Sequence, residues 1–363
     1  MTRSNLKSCK RIVVKVGTGL LTRKDNHINP DRVEAIVAQI VGLKKKKLEI
    51  ILVTSGAVGL GLGIIKSNVY PKTLSERQAL AAMGQSRLMH MYETFFSPHH
   101  IRIGQVLLTA QDLHSKERYL NIRNTLWKLL EFDTVPIINE NDTVSVEEIK
   151  IGDNDTLSAY AALSTDADLL IILTDTDGLY DSNPKHNPAA KRFSCIEKID
   201  KRITALAKGT DSATAIGGME TKLKAARIAA SSGIPVVIAS GLENDALQAI
   251  LQGEDCGTFF VPSEKGLSTN ERWFAHSRKR RGGIVLDNGC TTALRKKRIS
   301  ILPVGVTAVK GSFKKGDSIS IFSQDNEELG AGLSNYDSSE CQTLLGQKFR
   351  TEVIHCDNLV LFV

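Results

Sequence analysis

Long apolar runs are missing from this 363-residue chain. No stretch approaches the roughly 20 apolar residues that a membrane-spanning helix needs, and residues 1–11 are polar where a secretory leader would carry its apolar segment. A cytoplasmic protein without membrane attachment is the expectation. Cysteine is sparse and scattered, at Cys9, Cys195, Cys256, Cys290, Cys341 and Cys356, with no spacing that suggests a zinc clip or a disulfide framework. The eight histidines lack a His-Glu-x-x-His arrangement, so no protein-held metal is expected. Also absent are the Gly-Lys-Ser/Thr ending of the common nucleotide-binding loop and an obvious Ser/His or Cys/His nucleophilic pair. Hydrolysis through a covalent intermediate is thereby disfavoured.

What is present suits a large α/β core with a second, smaller domain, at 42% hydrophobic content. Apolar, β-branched runs at residues 11–16, 48–53, 101–108, 134–138, 168–173 and 234–239 read as buried strands. Between the first two, Val33, Ile36, Val37, Ile40 and Val41 share one helical face, with Pro30 near the start. Further helical patterns occupy residues 74–96, 115–131, 156–166 and 223–232. Strand and helix repeated in this order predict an αβα sandwich around a mainly parallel central sheet. The texture changes after residue 263. A polar, basic linker over 264–281 ends in Arg278-Lys279-Arg280-Arg281, and a small β-rich domain is expected over 282–363. Of the net charge of +7, the tail from residue 276 carries +4, from 13 basic and 9 acidic residues, which raises the question of a nucleic-acid partner.

Ligands of open parallel sheets gather beyond the carboxyl ends of the strands. There this chain is repeatedly polar and glycine-rich: Lys15-Val16-Gly17-Thr18-Gly19, Thr54-Ser55-Gly56-Ala57, Asn139-Glu140-Asn141-Asp142, Gly152-Asp153-Asn154-Asp155 and Thr174-Asp175 with Gly178-Leu179-Tyr180. The run Ile216-Gly217-Gly218-Met219-Glu220-Thr221-Lys222 ends in a lysine at a helix start, where backbone amides attract anions. Lys15, inside an apolar strand, is costly to bury unless an anion meets it. A snorkelling lysine or a permanent carboxylate partner would serve as well, just as Ser55 and the acids Asp142, Asp153 and Asp155 would serve as caps or turn formers. Two lysines, glycine turns and acids suit phosphoryl transfer, which needs positioning and charge neutralisation more than covalent help.

Taken in order, these motifs are similar to those of the glutamate 5-kinase family within the amino-acid kinase superfamily. The tail, with Leu302-Pro303-Val304-Gly305-Val306 and Gly311-Ser312-Phe313, resembles a PUA domain. The resemblance spans nearly the whole chain. It implies an ATP-dependent phosphorylation of the L-glutamate side chain with Mg2+, at the head of proline biosynthesis. Lys15 and Lys222 would contact the transferred phosphoryl group, with Asp155 holding them. Ser55, Asp142 and Asn154 match glutamate-binding positions. Lys15, Thr174, Asp175 and the loop Ile216, Gly217, Gly218, Met219, Glu220, Thr221 and Lys222 match ATP-binding segments. That loop departs from the family's Gly-Thr-Gly-Gly-Met, because Ala215-Ile216 precede the glycine pair and remove a threonine hydroxyl. The resemblance further implies feedback inhibition by proline, with residues 143–151 as the candidate sensor, and a reductase partner that consumes γ-glutamyl phosphate. A homo-oligomer is also expected.

Two other readings stay open at this stage. PUA domains elsewhere bind RNA, and Arg278–Arg281 with residues 295–298 offer phosphate contacts, but no aromatic stacking platform lies near them. A kinase of another small carboxylate or carbamate is the second, since one methylene is worth only about 1–3 kcal/mol of discrimination.

Overall fold

Side-chain alternation along the first strand decides which helices each of its residues meets. In chain order the first unit of the computed structural model runs β1 (Arg11–Val16), α1 (Thr18–Leu21), α2 (Pro30–Lys45), β2 (Glu49–Val53), α3 (Ala57–Ile64), α4 (Leu74–Phe96), β3 (Arg102–Leu108), α5 (Ala110–His114) and α6 (Lys116–Glu131). It continues with β4 (Thr134–Glu140), α7 (Asn154–Ser164), β5 (Leu169–Thr174), β6 (Cys195–Ile196), α8 (Lys201–Leu206), α9 (Met219–Ser231), β7 (Val236–Ser240), α10 (Ala246–Leu251) and β8 (Thr258–Phe260). The structure describes all residues except 24, 146–153, 185, 208–217, 264–281, 298, 348–350 and 362–363. The chain divides into two compact units, Met1–Gly266 and Leu267–Val363.

The eight strands of the first unit lie in the order β3-β4-β2-β1-β5-β7-β8-β6. Every pairing is parallel except β7 with β8. Ile12, Val14 and Val16 of β1 join one apolar cluster with Val33, Ile36 and Ile40 of α2 and Leu88, Tyr92 and Phe96 of α4. Val13 joins the opposite cluster, with Leu126 of α6, Leu157 of α7 and Leu223 of α9. This is the expected sandwich, with helices on both faces. Period-two alternation then puts Lys15 on the α7/α9 side with Val13. Strand register sets it beside Val53 of β2 and Ile172 of β5, at the carboxyl end where the strand order reverses.

Local signals account for the element ends. Asn29 caps α2 by accepting from the Asp31 amide, with Pro30 opening the helix. Thr73 and Glu76 form a capping box that starts α4 at Leu74, as its pattern predicts. Helices α1, α3, α5, α8 and α10 and strands β6 and β8 escape the sequence pattern. Helix α3 contains Gly59, Gly61 and Gly63, which weaken a helical pattern, yet Gly61 and Gly84 let α3 and α4 touch backbone to backbone. A Cβ on Gly84 would sit 1.8 Å from the Ala57 carbonyl oxygen. Strands β6 and β8, of two and three residues, are too short for any periodicity.

In the second unit β9 (Gly282–Leu286), β10 (Val306–Gly311), β11 (Ser318–Phe322), β12 (Glu328–Leu333) and β13 (Leu359–Leu361) form a sheet ordered β10-β9-β11-β12-β13. Only β9 and β11 pair in parallel. Short helices Asn288–Lys296 and Ser338–Thr343 accompany it, and Ile284, Leu294, Phe313, Ile321 and Leu329 share its apolar core. The unit is β-rich, as expected; β12, rich in small residues, is the strand the pattern misses.

Candidate active site

Lys15 and Lys222 reach one carboxylate from positions far apart in the sequence. Lys15 Nζ lies 2.5 Å from Asp155 Oδ1 and Lys222 Nζ lies 3.3 Å from Asp155 Oδ2. The three residues are 4%, 6% and 1% exposed, so the charges are buried together. Thr221 Oγ1 donates to Asp155 Oδ2 at 2.6 Å, fixing the carboxylate from the first turn of α9. Burial alone would push the Asp155 carboxyl up, but Lys15 and then Lys222 draw it down to about 2, helped by the Lys15 and Thr221 hydrogen bonds. Gly17 leaves room for this arrangement: a Cβ there would come 3.3 Å from Lys15 Nζ. Helix α9 starts at Met219, earlier than the pattern over 223–232 suggests, so Thr221 and Lys222 belong to its first turn rather than to a preceding loop. Side chains there lean toward the helix N-terminus, which carries Lys222 back to Asp155.

A second group surrounds Asn154, the first residue of α7. Its Nδ2 donates to Ser55 Oγ at 2.8 Å and to Asn139 Oδ1 at 3.1 Å, while its Oδ1 accepts from the Glu140 amide at 3.2 Å. Asn154 thus ties the carboxyl ends of β2 and β4 to the helix that carries Asp155. Ser55 is held at a sharp turn by Gly56, whose φ of 108° suits glycine. Asp142 is half-buried on the loop beyond β4. Burial, and after it the Glu140 carboxylate, raise it to about 6 against the pull of Arg77.

Thr174 ends β5, and its hydroxyl donates to Asp175 Oδ1 at 3.0 Å. Gly218, Met219 and Glu220 are the N-cap and first residues of α9. The candidate positions Ile216 and Gly217, and Asp153, lie outside the described residues, as do the linker over 264–281 and the basic residues Arg278–Arg281 and Arg298. Arg295 pairs with Glu327. Of the proline-sensing candidate only Thr143, Val144 and Ser145 are described, and Ser145 Oγ donates to Glu140 Oε1 at 2.7 Å. The structure also brings in residues of α4 that the motif series passes over: Gln78 donates to the Ser145 carbonyl at 3.0 Å, and Gln85 accepts from Asn139 Nδ2 at 2.9 Å. Their seven-residue spacing, one polar stripe on a helix, is the signal that could have found them. Among the described residues no three His, Cys, Asp or Glu side chains gather as a metal-holding group, and no helix is long and apolar enough to cross a membrane.

Comparison with known proteins bears on the family and the fold. The model of the amino acid kinase family matches residues 10–240, and that of the PUA domain matches residues 282–355. The glutamate 5-kinase of Moorella thermoacetica is 45% identical over 370 residues, covering 99% of this chain and 98% of that one. The glutamate 5-kinase of Syntrophotalea carbinolica is 41% identical, over 99% and 100% of the two chains. Among solved structures, an isopentenyl phosphate kinase in its substrate complex superposes with a TM-score of 0.50 at 18% identity, covering 69% of this chain and 99% of that one, which supports the fold alone. By the family match and the near-full-length relatives, the chain belongs to the amino acid kinase family, as a kinase of the branch named glutamate 5-kinase.

Proposed function

We propose that this kinase transfers the γ-phosphoryl group of ATP to the side-chain carboxylate of L-glutamate, giving γ-glutamyl 5-phosphate and ADP at the head of proline biosynthesis. The observation that carries this reading is the convergence of Lys15 and Lys222 on buried Asp155 at the carboxyl end of the sheet. It is supported by the names of the near-full-length relatives.

The chemistry follows from the groups present. A glutamate carboxylate is already ionised at neutral pH, so its oxygen attacks the γ-phosphorus in line as the bond to the β-phosphate oxygen breaks, and no general base is required. Lys15 and Lys222 offset charge on the equatorial oxygens, and Asp155 keeps both ammonium groups on one side of the transferring group. Asp155 itself stays ionised throughout. Thr174, Asp175 and the start of α9 form the nucleotide side of the site. Ser55, Asn154 and Asp142 form the glutamate side, with Asp142 suited to the substrate ammonium. Magnesium would be held chiefly by the nucleotide phosphates and would offset their charge, with few protein ligands, since no metal-holding group gathers among the described residues. The acyl phosphate is labile, so a reductase that consumes it is the expected partner, and proline is the expected inhibitor, acting near residues 143–151.

The test is hydroxamate formation from ATP and magnesium with hydroxylamine present, comparing glutamate, aspartate and N-acetylglutamate. Product with glutamate alone supports the proposal. Product with another acceptor instead would replace the substrate, and none with any acceptor from folded protein would turn attention to the Ala215-Ile216 departure and to RNA binding by the C-terminal unit.

A further inference from the structure

The glutamate side of the site contains a chain of amides whose polarity can be read from one backbone donor. The Glu140 amide N–H can only donate, and it points at Asn139 Oδ1, at 2.9 Å, and Asn154 Oδ1, at 3.2 Å. Flipping either side chain would set an NH2 group against that N–H, so both orientations are fixed. Asn139 must then present its Nδ2 outward, where Gln85 Oε1 accepts it at 2.9 Å. This in turn aims Gln85 Nε2 at Gln105 Oε1, 3.3 Å away on β3. On the other side, Asn154 must present its Nδ2 to Ser55 Oγ. The hydroxyl of Ser55 is therefore occupied as an acceptor, and its own proton is directed to another group.

We infer that Gln85 is a positioning residue for the acceptor substrate: through Asn139 and Asn154 it sets Ser55 as a hydrogen-bond donor to a carboxylate. Asn139 is 2% exposed, so losing the Gln85 oxygen would strand a buried Nδ2 while the Glu140 N–H still holds its Oδ1, and the amide would shift toward another acceptor without flipping. A shifted Asn139 accepts less well from Asn154, whose Nδ2 then has less reason to stay on Ser55. Gln85 touches neither substrate nor reacting atoms. It acts from α4, a helix that otherwise serves the opposite face of the sheet, and its hydrogen-bond partners Asn139 and Gln105 belong to β4 and β3. This inference rests on the glutamate-side assignment proposed above.

Its test is a double-mutant cycle in the hydroxamate assay with the full chain. Gln85→Met keeps the side chain's length and removes the acceptor. The KM for glutamate should rise about ten- to a hundredfold, as for loss of one hydrogen bond to a charged group, with the KM for ATP within about twofold of wild type. Ser55→Ala should raise the same constant by a similar factor. The double variant should then sit no more than about twofold above Ser55→Ala alone, because one residue acts through the other. Multiplying effects, or a Gln85→Met enzyme with the wild-type KM for glutamate, would overturn the inference, as would equal rises for glutamate and ATP. Should Gln85→Met not fold, Gln105→Met, at an exposed position, removes the acceptor that orients Gln85 and is expected to give a smaller rise of about twofold; no change there would count against it. Wild-type protein that makes no hydroxamate from glutamate would instead defeat the underlying functional reading.

Discussion

Replacing Asp155 by asparagine keeps its shape and removes the charge that two buried ammonium groups share. Lys15 and Lys222, 4% and 6% exposed, would face a neutral amide in place of a carboxylate at 2.5 and 3.3 Å. Removing one partner of a buried ion pair costs about 3–5 kcal/mol. A separate measure comes from the carboxyl itself: lowering it from 3.8 to about 2 corresponds to on the order of 2 kcal/mol of stability at neutral pH. The second figure is smaller because it counts a neutral acid against an ion in the unchanged protein, whereas the variant also leaves two buried ammonium groups without their counter-ion. A loss of about 3 kcal/mol, or roughly 6–12 °C in the melting of the first unit, is expected. The pH dependence has a definite sign. A carboxyl depressed in the folded state stabilises fully above its unfolded value and loses that contribution as pH falls through the folded value. The gap between wild type and Asp155→Asn should therefore be constant from pH 5 to 7 and narrow, by on the order of 2 kcal/mol, only between about pH 4 and 2. Thermal melts across pH measure it. A gap under about 1 kcal/mol at pH 7, or one that closes near pH 6, would refute the account of a carboxylate held ionised by two lysines.

Three further outcomes follow from the same geometry. Lys222→Ala should lower turnover by about two to three orders of magnitude in the hydroxamate assay while circular dichroism stays native, since a lost charge-stabilising donor acts mainly in the transition state; near-normal turnover would remove it from the mechanism. Asp142, raised to about 6, stabilises the fold only while protonated and loses that contribution as pH rises through 6. Asp142→Asn should accordingly melt higher than wild type at pH 7.5 yet need more glutamate, and the wild-type KM for glutamate should climb as pH drops below 6; a flat KM profile would contradict the assignment. Gly84→Ala would place a Cβ 1.8 Å from the Ala57 oxygen, so a destabilisation of at least about 2 kcal/mol in urea unfolding is expected, and a neutral result would mean that α3 and α4 separate easily.

Much of the sheet is visible in the amino-acid pattern because parallel strands buried on both faces carry apolar runs, as residues 12–14 of β1, 135–138 of β4 and 169–173 of β5 do. Shortness hides β6, at the edge of the sheet, and β8 beside it, whose pairing depends on neighbours far along the chain. In the site, the residues that stand in motifs at strand ends are the legible ones: Lys15, Ser55, Asn154, Asp155 and Lys222. Their partnerships are not legible, since Asp155 meets Lys15 and Lys222 only through the crossing of β1, α7 and α9. Gln85 is harder still. A glutamine on an amphipathic helix looks like surface until the fold sets Asn139 against it.

Strand order also has a consequence for synthesis. Lys15 is sealed into the sheet on one flank by β2 and on the other by β5, and β5 follows β2 only after helices α3 to α7 and strands β3 and β4. A chain emerging from its N-terminus thus leaves one side of β1 open to water while the intervening segments are made. Asp155, at the start of α7, is polymerised immediately before the strand that closes that side. The ammonium group can stay hydrated until its counter-ion exists, and the enclosing strand arrives after the counter-ion.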